Sequence, residues 1–184
     1  MTCRQPAPCY RLFFAIKPDP VEARRIDHFA EGLAGTRPRI RLEHQHVTLA
    51  ITQDHAIYPD ALIGAMLGIG ANIMAEPFDL MLDHLQFWAG SVALRPSRRE
   101  PMLYALQREM GAAMSARGIA LRPGWKFSPH QTLFHRKGSL DQRAIEGFCW
   151  RADRFMLVCS HVGHTRHERL GTWPLRGGAQ YRLL

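Results

Sequence analysis

One short sequence pattern occurs twice in this chain of 184 residues. HVTLA at 46–50 and HQTLF at 130–134 share the order His, any residue, Thr, Leu and an apolar residue. Each copy has the apolar character of a strand, and the two lie 84 residues apart, close to half the chain. We therefore expect two lobes built on similar plans, each contributing one such strand.

Strand geometry predicts what these copies present to their surroundings. Side chains at positions i and i+2 of a strand point to the same face. His46 and Thr48 therefore project together, as do His130 and Thr132, while the residues between them point to the packing side. If the two lobes face each other, two imidazoles and two hydroxyls converge on one cleft.

That set of groups suits the hydrolysis of a phosphodiester. One proton must be taken from the attacking water and another delivered to the leaving oxygen, and histidine, with an ordinary pKa of about 6.5, can do either at neutral pH. Threonine hydroxyls can donate to the non-bridging phosphate oxygens, where charge collects in the transition state. Nothing in this scheme requires a metal or a cofactor, so we predict neither.

The rest of the chain predicts one compact domain of residues 1–184, with residues 1–9 as a flexible lead-in. Strands are predicted at 11–16, 46–51, 127–134 and 154–159, with a hairpin at 78–94. Helices are predicted at 21–33, with Asp19 as its N-cap, and at 60–74, 102–114 and 141–148. The order β-α-β-α-ββ-α-β-α-β is typical of an α+β or α/β fold.

The charge balance favours an anionic partner. The net charge is +8, and arginine carries nearly all of it, because the chain has only three lysines: Lys17, Lys126 and Lys137. A basic surface attracts polyanions such as RNA. The arginines are scattered, however, so the charge permits an RNA partner and is equally explained by an arginine-rich composition.

Cysteine usage and hydropathy indicate a cytoplasmic protein. The four cysteines, at 3, 9, 149 and 159, form no C-x-x-C pair and are predicted as reduced thiols. The apolar run at 12–16 is too short to span a bilayer of about 30 Å and lacks the cleavage site of a signal peptide. We expect no membrane partner, and we expect a monomer.

Other motifs bear on function. The three histidines of HVGHTRH at 161–167 could suggest a metal cluster, but Gly163 and the lack of a cysteine or carboxylate partner favour a solvated loop. The chain has no P-loop, no G-x-G-x-x-G and no G-x-S-x-G, which disfavours nucleotide-driven and acyl-transfer chemistry.

Several aromatic rings could border the predicted cleft. His44 shares a predicted strand face with His46, and of Phe13 and Phe14 one faces the core and the other the cleft. Three tryptophans could stack on a nucleic acid base or belong to the core: Trp88, Trp125 and Trp150.

Because it contains these two His-x-Thr motifs, the sequence resembles the two-histidine (2H) phosphoesterase superfamily. Within it, the resemblance is to the bacterial RNA 2′,3′-cyclic phosphodiesterases, historically called 2′-5′ RNA ligases. The resemblance spans about residues 10–176, and its most specific part is Pro129-His130-x-Thr132-Leu133. Its other anchors are RLFFAI at 11–16, HVTL at 46–49, the strand pair at 78–94, the helix at 102–118, LVCSHVG at 157–163 and TWPL at 172–175.

The resemblance implies a bilobal, pseudo-symmetric α+β fold in which two antiparallel β-sheets line a cleft and helices pack outside. It also implies metal-free hydrolysis of the 2′,3′-cyclic phosphate of an RNA or nucleotide to a 2′-phosphomonoester. By the same resemblance, His46 donates a proton to the departing 3′-oxygen and His130 accepts one from water. Thr48 and Thr132 hold the phosphate.

This sequence departs from the family pattern near the second histidine. The family usually has an arginine five residues after that histidine, where this chain has His135, followed by Arg136. A shift of one residue turns a strand side chain to the opposite face. Either a bulge returns Arg136 to the cleft, or His135 replaces the arginine, or phosphate binding is altered.

Two further departures affect the expected substrate range more than the fold. AITQDH follows the first motif in place of Phe-Leu-Gly, and Cys159-Ser160 stands where an acidic residue usually precedes the serine. Two alternative functions therefore stay open. One is a phosphodiesterase for a small nucleotide cyclic phosphate, such as ADP-ribose 1″,2″-cyclic phosphate, and the other is a non-catalytic RNA- or nucleotide-binding module.

Overall fold

The computed structural model describes residues 9–176, so the predicted lead-in at 1–9 lies outside the described residues except for Cys9. The described chain forms strands β1 (Tyr10–Ile16), β2 (Val47–His55), β3 (Phe78–Phe87), β4 (Ser91–Arg95), β5 (Gln131–His135), β6 (Asp141–Ala152), β7 (Arg154–His161) and β8 (Arg166–Pro174). Its helices are α1 (Pro20–Ala34), α2 (Asp60–Gly70) and α3 (Pro101–Ala116), with a short 3₁₀ helix at Leu42–His44.

The strands form two four-stranded sheets, in the orders β2-β1-β7-β8 and β5-β4-β3-β6. We call these sheet 1 and sheet 2. Every neighbouring pair within them is antiparallel. Sheet 1 combines strands from both ends of the chain, whereas sheet 2 is built from its middle. The strands that follow the two motif histidines, β2 and β5, are each an edge strand of their sheet.

Alternation along β1 separates the packing face of sheet 1 from the face that borders the cleft. Leu12, Phe14 and Ile16 are fully buried in the main apolar core, which also contains residues of sheet 2. Phe13 and Ala15 belong instead to a second, smaller apolar cluster on the opposite face. One phenylalanine therefore faces the core and the other the cleft, as expected, and it is Phe13 that faces the cleft.

The helices pack on the sheets, away from the strand faces that line the cleft. Helix α1 contacts β5 and β6, α2 contacts β7 and β8, and α3 contacts β2 and β3. The predicted cap of α1 is confirmed, because Asp19 Oδ1 accepts from the backbone N–H groups of Val21 and Glu22. Buried Glu22 in turn accepts from the backbone N–H of Cys149 at 3.0 Å, which fixes α1 against β6.

Most predicted elements are present, with shifted ends. The strand predicted at 127–134 begins only at residue 131, and the helix predicted at 60–74 ends at residue 70. Among residues 9–176, no helix has the length and apolar character needed to cross a membrane.

The prediction of a helix at 141–148 is wrong. This segment is the first part of β6, which pairs with β3 from Asp141 opposite Phe87 to Ala152 opposite Phe78. Its first residues are exposed in the structure, and their sequence shows no apolar alternation of the kind that marks a strand. Their residue types favour a helix weakly, and pairing with β3 overrides that preference.

The solvated loop predicted at 161–167 is only partly correct. Residues 162–165 form a turn, but β8 begins at residue 166 and pairs with β7, so that His167 lies opposite Ser160. The predicted α+β fold with two antiparallel sheets is confirmed by the observed topology.

Candidate active site

A cavity of about 280 Å³ lies between the two sheets, and both sequence motifs contribute to it. Sheet 1 and the segment before β2 supply histidine and threonine side chains, and sheet 2 and the segment before β5 supply a matching set. The lining residues are Ile40, His44, His46, Thr48, His130, Thr132, His135, Thr165 and His167. The predicted convergence of two imidazoles and two hydroxyls on one cleft is therefore present in the geometry.

The two motif histidines are held in the same way. The Nδ1–H of His46 donates to the carbonyl oxygen of His44 at 2.6 Å, and that of His130 donates to the carbonyl oxygen of Ser128 at 2.7 Å. In each case the acceptor lies two residues earlier in the chain. Because a carbonyl can only accept, Nδ1 carries the hydrogen, and Nε2 is left available to the cavity in the neutral ring.

The threonines reach the cavity by the strand alternation that the sequence predicts. Thr48 and Thr132 line it, each two residues after its histidine. Val47 and Gln131, which stand between, are fully buried on the other face. Two hydroxyls thus accompany two imidazoles, and the hydroxyls can donate to the oxygens of a bound oxyanion.

The sheet edges meet directly behind this site. The side-chain amide of Gln131 donates to Oε1 of Gln45 at 3.2 Å. The backbone N–H of Ile40 donates to the carbonyl oxygen of Leu133 at 2.8 Å, which attaches the segment before β2 to the edge of sheet 2. Both bonds connect the segment before β2 with β5.

Burial lowers the pKa of both motif histidines. For His46, burial lowers the pKa to about 4. The hydrogen bond to the carbonyl of His44 opposes this shift, and the positive charges of Lys17 and His130 add a smaller lowering. For His130 burial again dominates, and the positive charge of Arg95 lowers the pKa further. Both rings are therefore neutral at pH 7 when no anion is bound.

Two more histidines belong to the site although neither is part of a His-x-Thr motif. His44 lies in the 3₁₀ helix and not on the predicted strand. Its ring centroid is 4.2 Å from that of His167, which in turn is 5.7 Å from that of His46. Burial, aided by the neighbouring His46 and His44, lowers the pKa of His167 to about 3. Only the pairing of β8 with β7 brings His167 here, and no sequence pattern marks it.

His135 lines the cavity, and Arg136 does not. The pairing of β5 with β4 shifts register between Thr132 and Phe134, so that Leu133 and Phe134 are both buried. This bulge returns the side chain of residue 135 to the face of Thr132. The Arg136 guanidinium instead lies over the ring of Phe87, 4.9 Å from its centroid. Of the two residues left open by the sequence, His135 is the one that lines the cavity.

Aromatic rings support each motif histidine. Phe13 stacks on His46 with ring centroids 4.8 Å apart, and Trp88 meets His130 edge-to-face at 5.0 Å. Trp150 is buried in the core, and Trp125 lies near Phe127, outside the cavity lining. Of the three candidate tryptophans, Trp88 is the one beside a motif histidine.

The described residues show no metal-binding cluster. Within residues 9–176 no group of three or more His, Cys, Asp or Glu side chains is arranged to hold a metal ion. The cysteines in this part of the chain, Cys9, Cys149 and Cys159, are free thiols. Burial raises the pKa of the Cys159 thiol to about 11.

Comparisons with known proteins place the fold. No protein-family model matches the sequence, and no curated protein matches it. Solved structures do match: Escherichia coli LigT complexed with 3′-AMP has 21% identity and a TM-score of 0.74, covering 91% of this chain and 98% of LigT. A protein described as a phosphoesterase has 21% identity and a TM-score of 0.72, covering 90% of this chain and 98% of its own.

A third structure agrees with these two. The protein TT0787 of Thermus thermophilus has 20% identity and a TM-score of 0.74, covering 91% of this chain and 99% of its own. The three matches cover 90–91% of this chain. The chain therefore shares the fold of LigT, of the solved phosphoesterase and of TT0787.

Proposed function

We propose that this chain is a 2H phosphoesterase that hydrolyses the 2′,3′-cyclic phosphate at an RNA end to a 2′-phosphomonoester. The observation that carries the proposal is that His46 and His130, each directly before an edge strand of a different sheet, line one cavity, and each is held by the carbonyl two residues before it. Two histidines fixed in the same tautomer on opposite sides of a small cleft suit acid-base catalysis at one phosphorus atom.

In the proposed reaction, His130 acts as the base. Its neutral Nε2 takes a proton from water as the water oxygen forms a bond to phosphorus. The bond between phosphorus and the 3′-oxygen breaks, and His46 delivers a proton from Nε2 to that oxygen. The products are a 3′-hydroxyl and a 2′-phosphomonoester, and the two rings exchange protons with solvent before the next turnover.

The donor role requires His46 to be protonated when substrate is bound. In the empty site burial disfavours that charge. A bound cyclic phosphate brings a negative charge beside the ring, which raises the pKa of His46 by Coulomb attraction. Thr48 and Thr132 donate to the non-bridging oxygens, and His135 supplies a further donor in the place of the family's arginine.

Ligands of the structural neighbours agree with this class of substrate. The solved LigT structures include complexes with 3′-AMP, ATP, NADP⁺ and phosphate. All of these carry a phosphate group, and three contain a nucleoside. The basic character of this chain, with a net charge of +8, favours the same kind of ligand.

The test is turnover of an oligonucleotide with a 2′,3′-cyclic phosphate end, followed by phosphorus NMR. We expect a 2′-phosphomonoester product and no effect of EDTA. His46→Ala and His130→Ala should each lower kcat about 10²- to 10⁴-fold, the usual contribution of one positioned acid or base. His28→Ala is the matched control, because His28 is exposed on α1 and lines no part of the cavity. Full activity in both motif variants would refute the proposal.

The same assay separates the two remaining candidates. A small-molecule phosphodiesterase would hydrolyse ADP-ribose 1″,2″-cyclic phosphate faster than the oligonucleotide. A non-catalytic binding module is favoured by one observation, the histidine at position 135 where the family has an arginine. Binding of the oligonucleotide by wild-type protein without any turnover would support that module over the enzyme.

A further inference from the structure

A second cavity, of about 240 Å³, adjoins the first on the His46 side. His44, His46 and His167 line both cavities, so the two meet at this group of rings. The second cavity is also lined by residues that exchange no proton in the proposed hydrolysis and do not line the first cavity. These are Phe13, Lys17, Glu43, Met156, Val158 and Arg169.

The floor of this second cavity is apolar. Phe13 on β1 and Met156 and Val158 on β7 form the small cluster on the cleft face of sheet 1. They are 4–6% exposed, separate from the main core. These side chains therefore shape the floor of the cavity but leave little apolar surface open to a ligand.

The rim of the cavity is cationic. The Lys17 ammonium is partly buried and donates to the backbone carbonyl of Glu43. Burial lowers the pKa of Lys17, the nearby positive charge of Arg169 lowers it further, and the charge of Glu43 opposes both effects. Within residues 9–176 Arg169 forms no ion pair. The Glu43 carboxylate is exposed and directed towards Arg41, at 3.7 Å. Glu43 also lines the cavity, but its single carboxylate is shared with Arg41, so the positive charge of Lys17 and Arg169 is only partly compensated and favours a bound anion.

The position of the cavity relative to His46 identifies the occupant. In the proposed reaction His46 protonates the 3′-oxygen, which belongs to the ribose of the terminal nucleotide. That nucleoside and the phosphate on its 5′-oxygen therefore lie on the His46 side of the phosphorus. The second cavity is on that side and offers an apolar floor next to two cations.

We infer that the second cavity binds the terminal nucleotide of the RNA, with its 5′-phosphate between Lys17 and Arg169. This inference rests on the proposed function, because the direction of the substrate follows from the role of His46. It makes the enzyme selective for nucleotides that carry a 5′-phosphate or a preceding nucleotide over simple nucleoside cyclic phosphates.

The test compares adenosine 2′,3′-cyclic phosphate with the same compound carrying a 5′-phosphate. Loss of one charge-assisted contact to phosphate corresponds to about a tenfold change. We therefore expect kcat/KM of the wild-type enzyme to be about tenfold or more higher for the 5′-phosphorylated compound. A dinucleotide with the same cyclic end should share that advantage, since its internal phosphodiester occupies the same position.

Substitutions of Lys17 and Arg169 test whether these two cations cause the higher kcat/KM for the 5′-phosphorylated substrate. In Lys17→Gln, Arg169→Gln and their combination, the ratio of kcat/KM between the two substrates should fall towards one. Arg108→Gln removes the same charge from the exposed surface of α3 and lines neither cavity. It should leave the ratio unchanged. Thermal melts check that each variant is folded.

The possible outcomes distinguish a failure of the inferred nucleotide subsite from a failure of the proposed function. Equal kcat/KM for the two substrates in wild-type protein overturns the subsite while leaving the hydrolysis intact. A preference that persists in the double variant also overturns it. Absence of turnover with every substrate refutes the proposed function, and the subsite with it. The wild-type comparison needs no variant, so it decides the question even if a substitution prevents folding.

Discussion

Gln131 and Gln45 hydrogen-bond to each other behind the two motif histidines, with the amide of Gln131 3.2 Å from Oε1 of Gln45. Both side chains are buried, at 0% and 3% exposure. Gln45 directly precedes His46 and Gln131 directly follows His130. One buried contact between the edges of two sheets thus joins the positions of the proposed acid and base.

Breaking this contact should reduce both stability and activity, and the two losses can be measured separately. Gln131→Leu leaves the Gln45 oxygen buried without its donor, which costs about 1–3 kcal/mol in the free energy of unfolding. Replacing both glutamines by leucine removes both polar groups, so urea unfolding should show much of that loss recovered.

The turnover of the double variant tests the positioning role. If the pair sets the spacing of His46 and His130, kcat should stay well below the wild-type value even where stability returns. Recovery of kcat together with stability would assign the pair a purely structural role. A double-mutant cycle on the free energies supplies the coupling between the two side chains.

The sequence was a good guide to the motif strands because alternation is a local property. The pattern of His46 and Thr48 predicts a shared face whatever the strand pairs with, and so does that of His130 and Thr132. The N-cap at Asp19 is equally local, since a side chain and the next backbone N–H groups form it.

The parts that the sequence missed depend on partners distant in the chain. β6 is a strand because β3 pairs with it, and nothing in residues 141–147 shows the apolar alternation of a strand. His167 enters the site only through the pairing of β8 with β7. The placement of His135 depends on a bulge in the register of β5 against β4, which no single-strand pattern encodes.

Phe13 is expected to orient the ring of the proposed acid. Its ring stacks on that of His46 at 4.8 Å with an interplanar angle of 25°. Aromatic pairs of this kind contribute about 0.5–1.5 kcal/mol beyond area burial. Phe13→Leu should therefore lower kcat by up to about tenfold and raise the pKa of His46 towards its ordinary value, because water gains access. An NMR titration of the His46 ring measures that pKa.

The neighbouring phenylalanine supplies the matched control. Phe14 is fully buried and packs on Phe155 and Trp173 in the main core. Phe14→Leu should cost roughly 1 kcal/mol or more of stability with kcat and the pKa of His46 nearly unchanged. If the two variants have the same effects, the stacking contact has no special role in positioning His46.

His135→Arg should strengthen phosphate binding. The position lines the cavity, and a guanidinium there would be charged at every accessible pH and could form a bidentate contact with a phosphate. We expect inorganic phosphate to compete with substrate about tenfold more strongly at pH 7. Arg136→Gln should leave that inhibition constant unchanged, because the Arg136 guanidinium packs on Phe87 outside the cavity. The reverse pattern would place Arg136, and not His135, at the phosphate.

The buried histidines predict that acid destabilises the fold before its carboxylates titrate. Burial lowers the pKa of His46 to about 4 and that of His167 to about 3. Above about pH 6.5 both rings are neutral in the folded and unfolded chain alike, so they make no pH-dependent contribution. As the pH falls from 6.5 towards 4, the unfolded chain binds protons that the folded chain does not. The free energy of unfolding should therefore fall, by up to about 1.4 kcal/mol per pH unit for each histidine.

The carboxylates affect stability at lower pH, so their contribution can be distinguished from that of the histidines. The pKa values of Asp54, Asp83 and Asp153 are lowered from 3.8, so their stabilising contribution is lost only as the pH falls below that value. Urea unfolding between pH 7.5 and about 4.5 should thus report the histidines. His167→Gln removes one of them and should flatten the dependence, whereas His28→Gln, at an exposed position, should not. A wild-type stability that stays constant over this range would mean that the histidine rings near His46 are hydrated and not buried.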